Sequence, residues 1–165
     1  MAAEDDFRKH LDLIQGVIGR LAGNSFSVKT WAVGLIAVLG GLAAKDADAR
    51  MACALLLPAL CFWGLDAYYL RQERLFRKLY DGAVRGDKRA PLYSLDATRF
   101  ASDVGGIGKA AYSPTVRWLH LPILIFVIGL IVYSAGKQES KSASSSETSV
   151  AAPAAGSSGK ASPPH

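Results

Sequence analysis

Three blocks of nearly unbroken apolar sequence, residues 26–44, 51–70 and 117–135, constrain this chain more than any other feature. A soluble core spreads its apolar residues at a period of 2 or 3.6. Blocks about 20 residues long instead match the ~30 Å hydrocarbon layer of a bilayer. Half of the 165 residues are apolar, yet residues 136–165 hold almost no large apolar side chain. This segregation argues against a soluble enzyme and against a collagen-like, disulfide-rich or wholly disordered chain. The fold class it predicts is an all-α integral membrane protein. A transmembrane helical hairpin and a third transmembrane helix are joined by amphipathic cytosolic helices and followed by a disordered tail.

Residues 5–24 read as a cytosolic amphipathic helix. Phe7, Leu11, Ile14, Val17, Ile18 and Leu21 recur at steps of three and four, and Asn24 is the expected stop. The two-span hairpin covers 26–70, with spans 26–44 and 51–70 joined by a loop too short for anything but an antiparallel return. Pro58 falls inside the second span and should kink it. Beyond Leu70 the chain turns abruptly charged, and a helix should continue out of the membrane with Glu73–Arg77 and Arg77–Asp81 as stabilising pairs. Residues 71–116 form the expected cytosolic segment. Pro91, Gly105, Gly106, Gly108 and Pro114 point to short helices and loops there rather than a packed domain. The third helix spans 117–135. The Ser, Ala, Gly and Pro of 136–165 predict a disordered tail.

The chain carries 19 Lys and Arg against 14 Asp and Glu. Residues 71–117 hold ten of the basic residues and residues 1–29 hold Arg8, Lys9, Arg20 and Lys29. Five lie elsewhere: Lys45, Arg50, Lys137, Lys141 and Lys160. The positive-inside rule then places the N-terminus and 71–117 in the cytoplasm and the tail outside, in the inner (plasma) membrane. Ala47–Ala49 offers an Ala-x-Ala, but the stretch before the first apolar block is too long and too acidic for a cleaved leader.

Asp66 lies inside the second span, where an acid needs a partner. Lys29 and Asp66 stand 18.5 residues on either side of the midpoint of the 45–50 loop, hence at one depth. A structural intramembrane Lys29–Asp66 ion pair is expected. Gly34, Ala37, Gly41 and Ala44 form a face of small residues suited to helix packing in lipid. Arg71, Arg74, Arg77 and Lys78, with Trp118 and Tyr133 at the two ends of the third span, suit headgroup and interface contacts. Cys53 and Cys61 are about 12 Å apart along a helix, so they cannot bridge and read as small buried residues. His10, His120 and His165 fall in three segments with no ligand cluster around them, so neither a metal nor another cofactor is expected. Gly105-Gly106-Ile107-Gly108-Lys109 lacks the first glycine and the Ser or Thr of a phosphate loop. No catalytic arrangement is visible, and neither an enzyme nor a nucleic-acid binder is expected.

Two runs carry a resemblance. His10-Leu11-Asp12-Leu13-Ile14-Gln15-Gly16-Val17-Ile18-Gly19-Arg20-Leu21-Ala22-Gly23-Asn24-Ser25-Phe26, with Lys29 and Trp31, is one. Phe62-Trp63-Gly64-Leu65-Asp66-Ala67-Tyr68-Tyr69-Leu70-Arg71-Gln72-Glu73-Arg74-Leu75-Phe76-Arg77-Lys78-Leu79-Tyr80-Asp81 is the other. Both resemble a widespread family of small bacterial multi-pass membrane proteins to which no activity is assigned, over residues 7–135. More distantly, the layout is similar to SLATT-like two-span membrane effector modules of bacterial defence systems, which are thought to oligomerise and breach membranes. The third span departs from that pattern. The resemblance transfers no functional residue.

The expected function is a non-enzymatic membrane protein that self-associates as a homo-oligomer in the lipid bilayer and acts as a pore or membrane effector. The alternative is a scaffold or accessory subunit that docks a soluble protein partner on its cytosolic helices. A small transporter or membrane enzyme is the least favoured class, because three spans leave little room for an enclosed site.

Overall fold

The computed structural model describes residues 1–46 and 48–150. Every regular element among them is helical: α1 (Ala2–Asp46), α2 (Ala49–Ala54), α3 (Leu56–Val84), a 3₁₀ turn (Ala97–Phe100), α4 (Ala101–Val104), α5 (Ile107–Ala111) and α6 (Pro114–Val150). Three helical stretches are long and apolar enough to cross a membrane: Ala2–Asp46, Ala49–Val84 and Pro114–Ser140.

At 1.5 Å per residue, the 45-residue α1 is about 68 Å long, more than twice a hydrocarbon layer. Only its second half is continuously apolar. The expected stop at Asn24 is not used. Gly23, Asn24 and Ser25 stay helical, because α1 packs along α3 on both sides of them and tertiary packing outweighs weak local propensity.

The return of the chain begins at Asp48, whose carboxylate accepts from the Arg50 and Met51 amides and caps α2. The α2–α3 break lies at Leu55, three residues before Pro58. Proline has no N–H to bond the Ala54 carbonyl and its ring crowds that carbonyl. Leu55 N–H accordingly tightens onto Ala52 O at 3.2 Å.

Two hydrophobic cores form. One, at the level of the apolar halves, joins Ile36, Ala43, Ala52, Leu55, Ala59, Val127 and Leu130. The other lies in a head built from the polar halves of α1 and α3 and the 85–113 segment. There Ile14, Leu75, Leu79, Ala83, Ala90, Ala97, Phe100 and Val104 pack together. The head corrects the expectation of unpacked loops. Prolines and glycines do break 82–116 into short elements, but the apolar residues between them converge on the α1–α3 stripe.

The helix α6 also corrects an expectation. It continues past Ala135 to Val150, so 136–150 is helical and only 151–165 of the expected disordered tail lies outside the described residues. No proline or glycine follows Gly136 before Pro153, and Lys137, Gln138, Glu139 and Lys141 are good helix formers.

Candidate functional site

A polar layer to which each long helix contributes lies between the two cores. From α3 comes Asp66, with 0% of its surface exposed. From α1 come Ser25 and Lys29, one turn apart, and from α6 comes His120. Ser25 Oγ donates to Asp66 Oδ1 at 2.6 Å, and Lys29 Nζ lies 2.5 Å from the same oxygen. Lys29 Nζ also donates to Ser25 Oγ at 2.6 Å. His120 Nε2 meets the other carboxylate oxygen, Oδ2, at 3.2 Å.

A buried carboxylate is tolerable when it is paired and its lone pairs are satisfied. Here one ammonium, one hydroxyl and one imidazole meet it, and they tie all three long helices together. The Lys29 side chain keeps 24% of its surface exposed, so the ammonium reaches in from the edge while its stem lies along α1. His120 is fixed from behind: the Trp63 ring stacks on it, 6.4 Å between centroids and 12° between planes. Trp63 in turn donates Nε1–H to Ala111 O at 3.2 Å, and Tyr112 meets its edge.

Ser, Asp and His are the residue types of a nucleophilic triad, but this order is different. Ser25 and His120 hold opposite oxygens of Asp66, so the carboxylate stands between them and the serine hydroxyl donates to it rather than to the imidazole. Among the described residues no group of three or more His, Cys, Asp or Glu is placed to hold a metal ion. The arrangement is a three-helix tie, electrostatically closed on itself.

The structure therefore brings Lys29 and Asp66 together, as their equal depth suggests. It adds Ser25, His120 and Trp63, which sequence reasoning did not place there. His120, read as having no ligand cluster around it, sits on Asp66. Ser25 had a legible signal, since it lies one helical turn before Lys29 on the same face. His120 lies three residues inside the third apolar block, a depth comparable to that of Asp66 in the second.

The small-residue face divides. Packing within the chain uses Ala32, Ile36, Gly40 and Ala43, with Phe126 lying 3.0 Å from where a Cβ on Gly40 would sit. Ala44 is half-buried against this core, but Gly34, Ala37 and Gly41 are exposed, and nothing lies within 4 Å of a Cβ added at either glycine. The expected face thus lies beside the in-chain interface: Ala37 borders the groove lined by Ile123 and Phe126, and Gly34 and Gly41 stand open. Cys53 and Cys61, expected to be buried, are exposed as well.

At the head end of the apolar stretch of α3, Arg71 and Arg74 are half-buried and Arg77 and Lys78 exposed. Arg71 Nε donates to Gly105 O at 3.0 Å, where the backbone turns through φ +84° between α4 and α5. Arg77 pairs with Glu73 at 2.6 Å, while Asp81 turns to Arg85 at 3.9 Å rather than to Arg77. Trp118 and Tyr133 are exposed and about 22 Å apart along α6. Comparison with protein-family models, with curated proteins and with solved structures gives no match.

Proposed function

We propose that this chain is a non-enzymatic, multi-pass protein of the inner (plasma) membrane that self-associates in the bilayer and acts as a membrane effector. Its head, carrying the N-terminus and residues 71–117, faces the cytoplasm by the asymmetry of its basic residues, and the segment after Tyr133 emerges on the other side. One observation carries the self-association. Gly34, Ala37 and Gly41 stand exposed on α1 with open space over both glycines, while in-chain packing is completed by the neighbouring face. In lipid, where apolar area alone drives no association, close approach over small residues is what holds helices together. Any aqueous path forms between copies, because the polar layer inside one chain is filled by its own side chains. The unbroken α1 and α3 couple head to spans, which suits an effector whose membrane part answers to its head. The distant likeness to SLATT-like modules agrees with this reading.

Energy transfer between donor- and acceptor-labelled full-length copies in liposomes tests it. Transfer that survives lipid dilution and falls when Gly34 and Gly41 are changed to Leu supports self-association through this face. Transfer at the level of random mixing overturns it.

A scaffold reading draws on a different feature: Leu13, Leu92, Tyr93 and Leu95 are exposed together with Lys9 and Arg20 on the head. Stoichiometric co-purification of one soluble protein, lost on Leu13→Asp, would favour it.

A further inference from the structure

We propose that His10, Tyr93 and Asp6 form an acid-released latch that holds the 86–96 loop against the N-terminal half of α1. The inference goes beyond self-association and does not depend on it. Tyr93 is the sole non-glycine residue with a positive φ among the described residues, at +62°, a conformation L side chains rarely adopt. Two bonds hold it there. Its backbone N–H donates to His10 Nδ1 at 3.1 Å, and its hydroxyl donates to Asp6 Oδ1 at 2.9 Å. The His10 and Tyr93 rings also meet edge to face, 6.1 Å between centroids.

His10 is 1% exposed and uses only one of its two ring nitrogens. Because Nδ1 accepts, the neutral ring carries its proton on Nε2, and that atom has no hydrogen-bond partner. Leu or Phe would fill this place without an orphaned polar atom, so the histidine contributes something other than packing. Protonation supplies it. A second ring proton must go on Nδ1, where it faces the Tyr93 N–H donor to donor. The bond is lost, and a cation is left beside an apolar core with no carboxylate against it.

The surrounding charges do not rescue that cation. On α1, Asp6 is engaged by the Tyr93 hydroxyl and lies 3.9 Å from Lys9, and Glu4 pairs with Arg8. From the loop, Tyr93 is the titratable group in contact, while Asp87 and Arg89 pair with each other. The Asp6 carboxylate raises the Tyr93 phenol above its usual range, so the hydroxyl stays a donor. From α3, the residues buried in the head core, Leu75, Leu79 and Ala83, are uncharged, and Phe76 and Tyr80 pack against them. Its nearby charges pair along the helix surface, Arg77 with Glu73 and Arg85 with Asp81.

Burial holds the His10 pKa below its ordinary 6.5. The released state, with its ring in water, takes up the proton first. The latch is therefore at full strength above about pH 6.5. It weakens by up to tenfold for each pH unit below that, until the pKa of the held state is reached. Release frees Tyr93 and loosens Ala90 from the head core it shares with Ile14 and Ala83, remodelling the head directly on the helix that enters the membrane.

Amide hydrogen exchange at Tyr93, on the full-length protein in mild detergent and corrected for the intrinsic rate, tests the latch. Protection in the native chain should fall by up to about tenfold between about pH 6.5 and 5.5. His10→Asn keeps an acceptor near Nδ1 but cannot titrate, so its protection should stay flat. A flat native profile, or an equal fall in the variant, overturns the proposal. Should the variant not fold, the ring-nitrogen shifts of the native protein decide. A buried histidine with its proton on Nε2 at neutral pH supports the latch, and one with its proton on Nδ1 refutes it.

Discussion

Replacing Lys29 by Met and Asp66 by Asn should not be equivalent, although each removes one half of the same pair. Asp66 is wholly buried, whereas the Lys29 side chain keeps 24% of its surface in reach of solvent. Lys29→Met strands a carboxylate that cannot leave the bundle. Breaking a buried pair from one side costs about 3–5 kcal/mol, and the lower end applies here because Ser25 and His120 still contact the carboxylate. Asp66→Asn leaves a lysine that can swing outward, and an amide that still accepts from Ser25, so the loss should be about 1 kcal/mol. At about 2–4 °C per kcal/mol for a chain of this size, the midpoints should fall by roughly 6–12 °C and 2–4 °C. Thermal unfolding in a mild detergent, followed by circular dichroism, reads both, and the double variant should recover part of the Lys29→Met loss. Asp66→Asn falling as far as Lys29→Met would refute the reasoning, as would both variants melting like the native chain.

Other positions give sharper contrasts. His120→Ala removes both the contact to Asp66 Oδ2 and the plane on which Trp63 stacks; about 2 kcal/mol of stability should go, with exchange protection lost first in α6. A Cβ on Gly40 would meet Phe126 at 3.0 Å while one on Gly41 meets nothing, so Gly40→Leu should lower the melting temperature and Gly41→Leu should lower only self-association. At Gly82 an added Cβ falls 2.7 Å from the Phe100 ring, and Gly82→Ala should cost the head about 1–3 kcal/mol by chemical denaturation. The Thr98 side-chain hydrogen bond, followed by Arg99, holds the Asp96 carboxyl below its usual range. Its support of the 3₁₀ turn is present above about pH 4 and lost as pH falls through the lowered value, which Thr98 amide exchange should report.

What the sequence made legible follows from distance along the chain. Lys29 and Asp66 flank a short turn at equal depth, so two helices of known rise suffice to bring them together. His120 was out of reach because the path from Asp66 runs through 85–113, whose turns depend on the packing of Ala90, Ala97 and Phe100 under the α1–α3 stripe. The head core is illegible in the sequence for the same reason. Its apolar members are few and small, and they are scattered among Pro91, Gly105 and Gly106. Gly23-Asn24-Ser25 carries the local signature of a helix end, and only the ties from Ser25 and Lys29 to Asp66 show why the helix runs through. On α1 the composition marks small residues on two faces, Ala32/Gly40/Ala43 and Gly34/Ala37/Gly41, and only Phe126 of α6 decides which faces inward.

The native mass of the full-length protein, extracted in a mild detergent and counted in subunits, tests self-association most directly. A defined assembly of two or more copies, reduced to single chains by Gly34→Leu and Gly41→Leu together, is the predicted result. A native protein that runs as one chain would contradict it and leave the head, rather than the exposed face of α1, as the surface through which the protein acts.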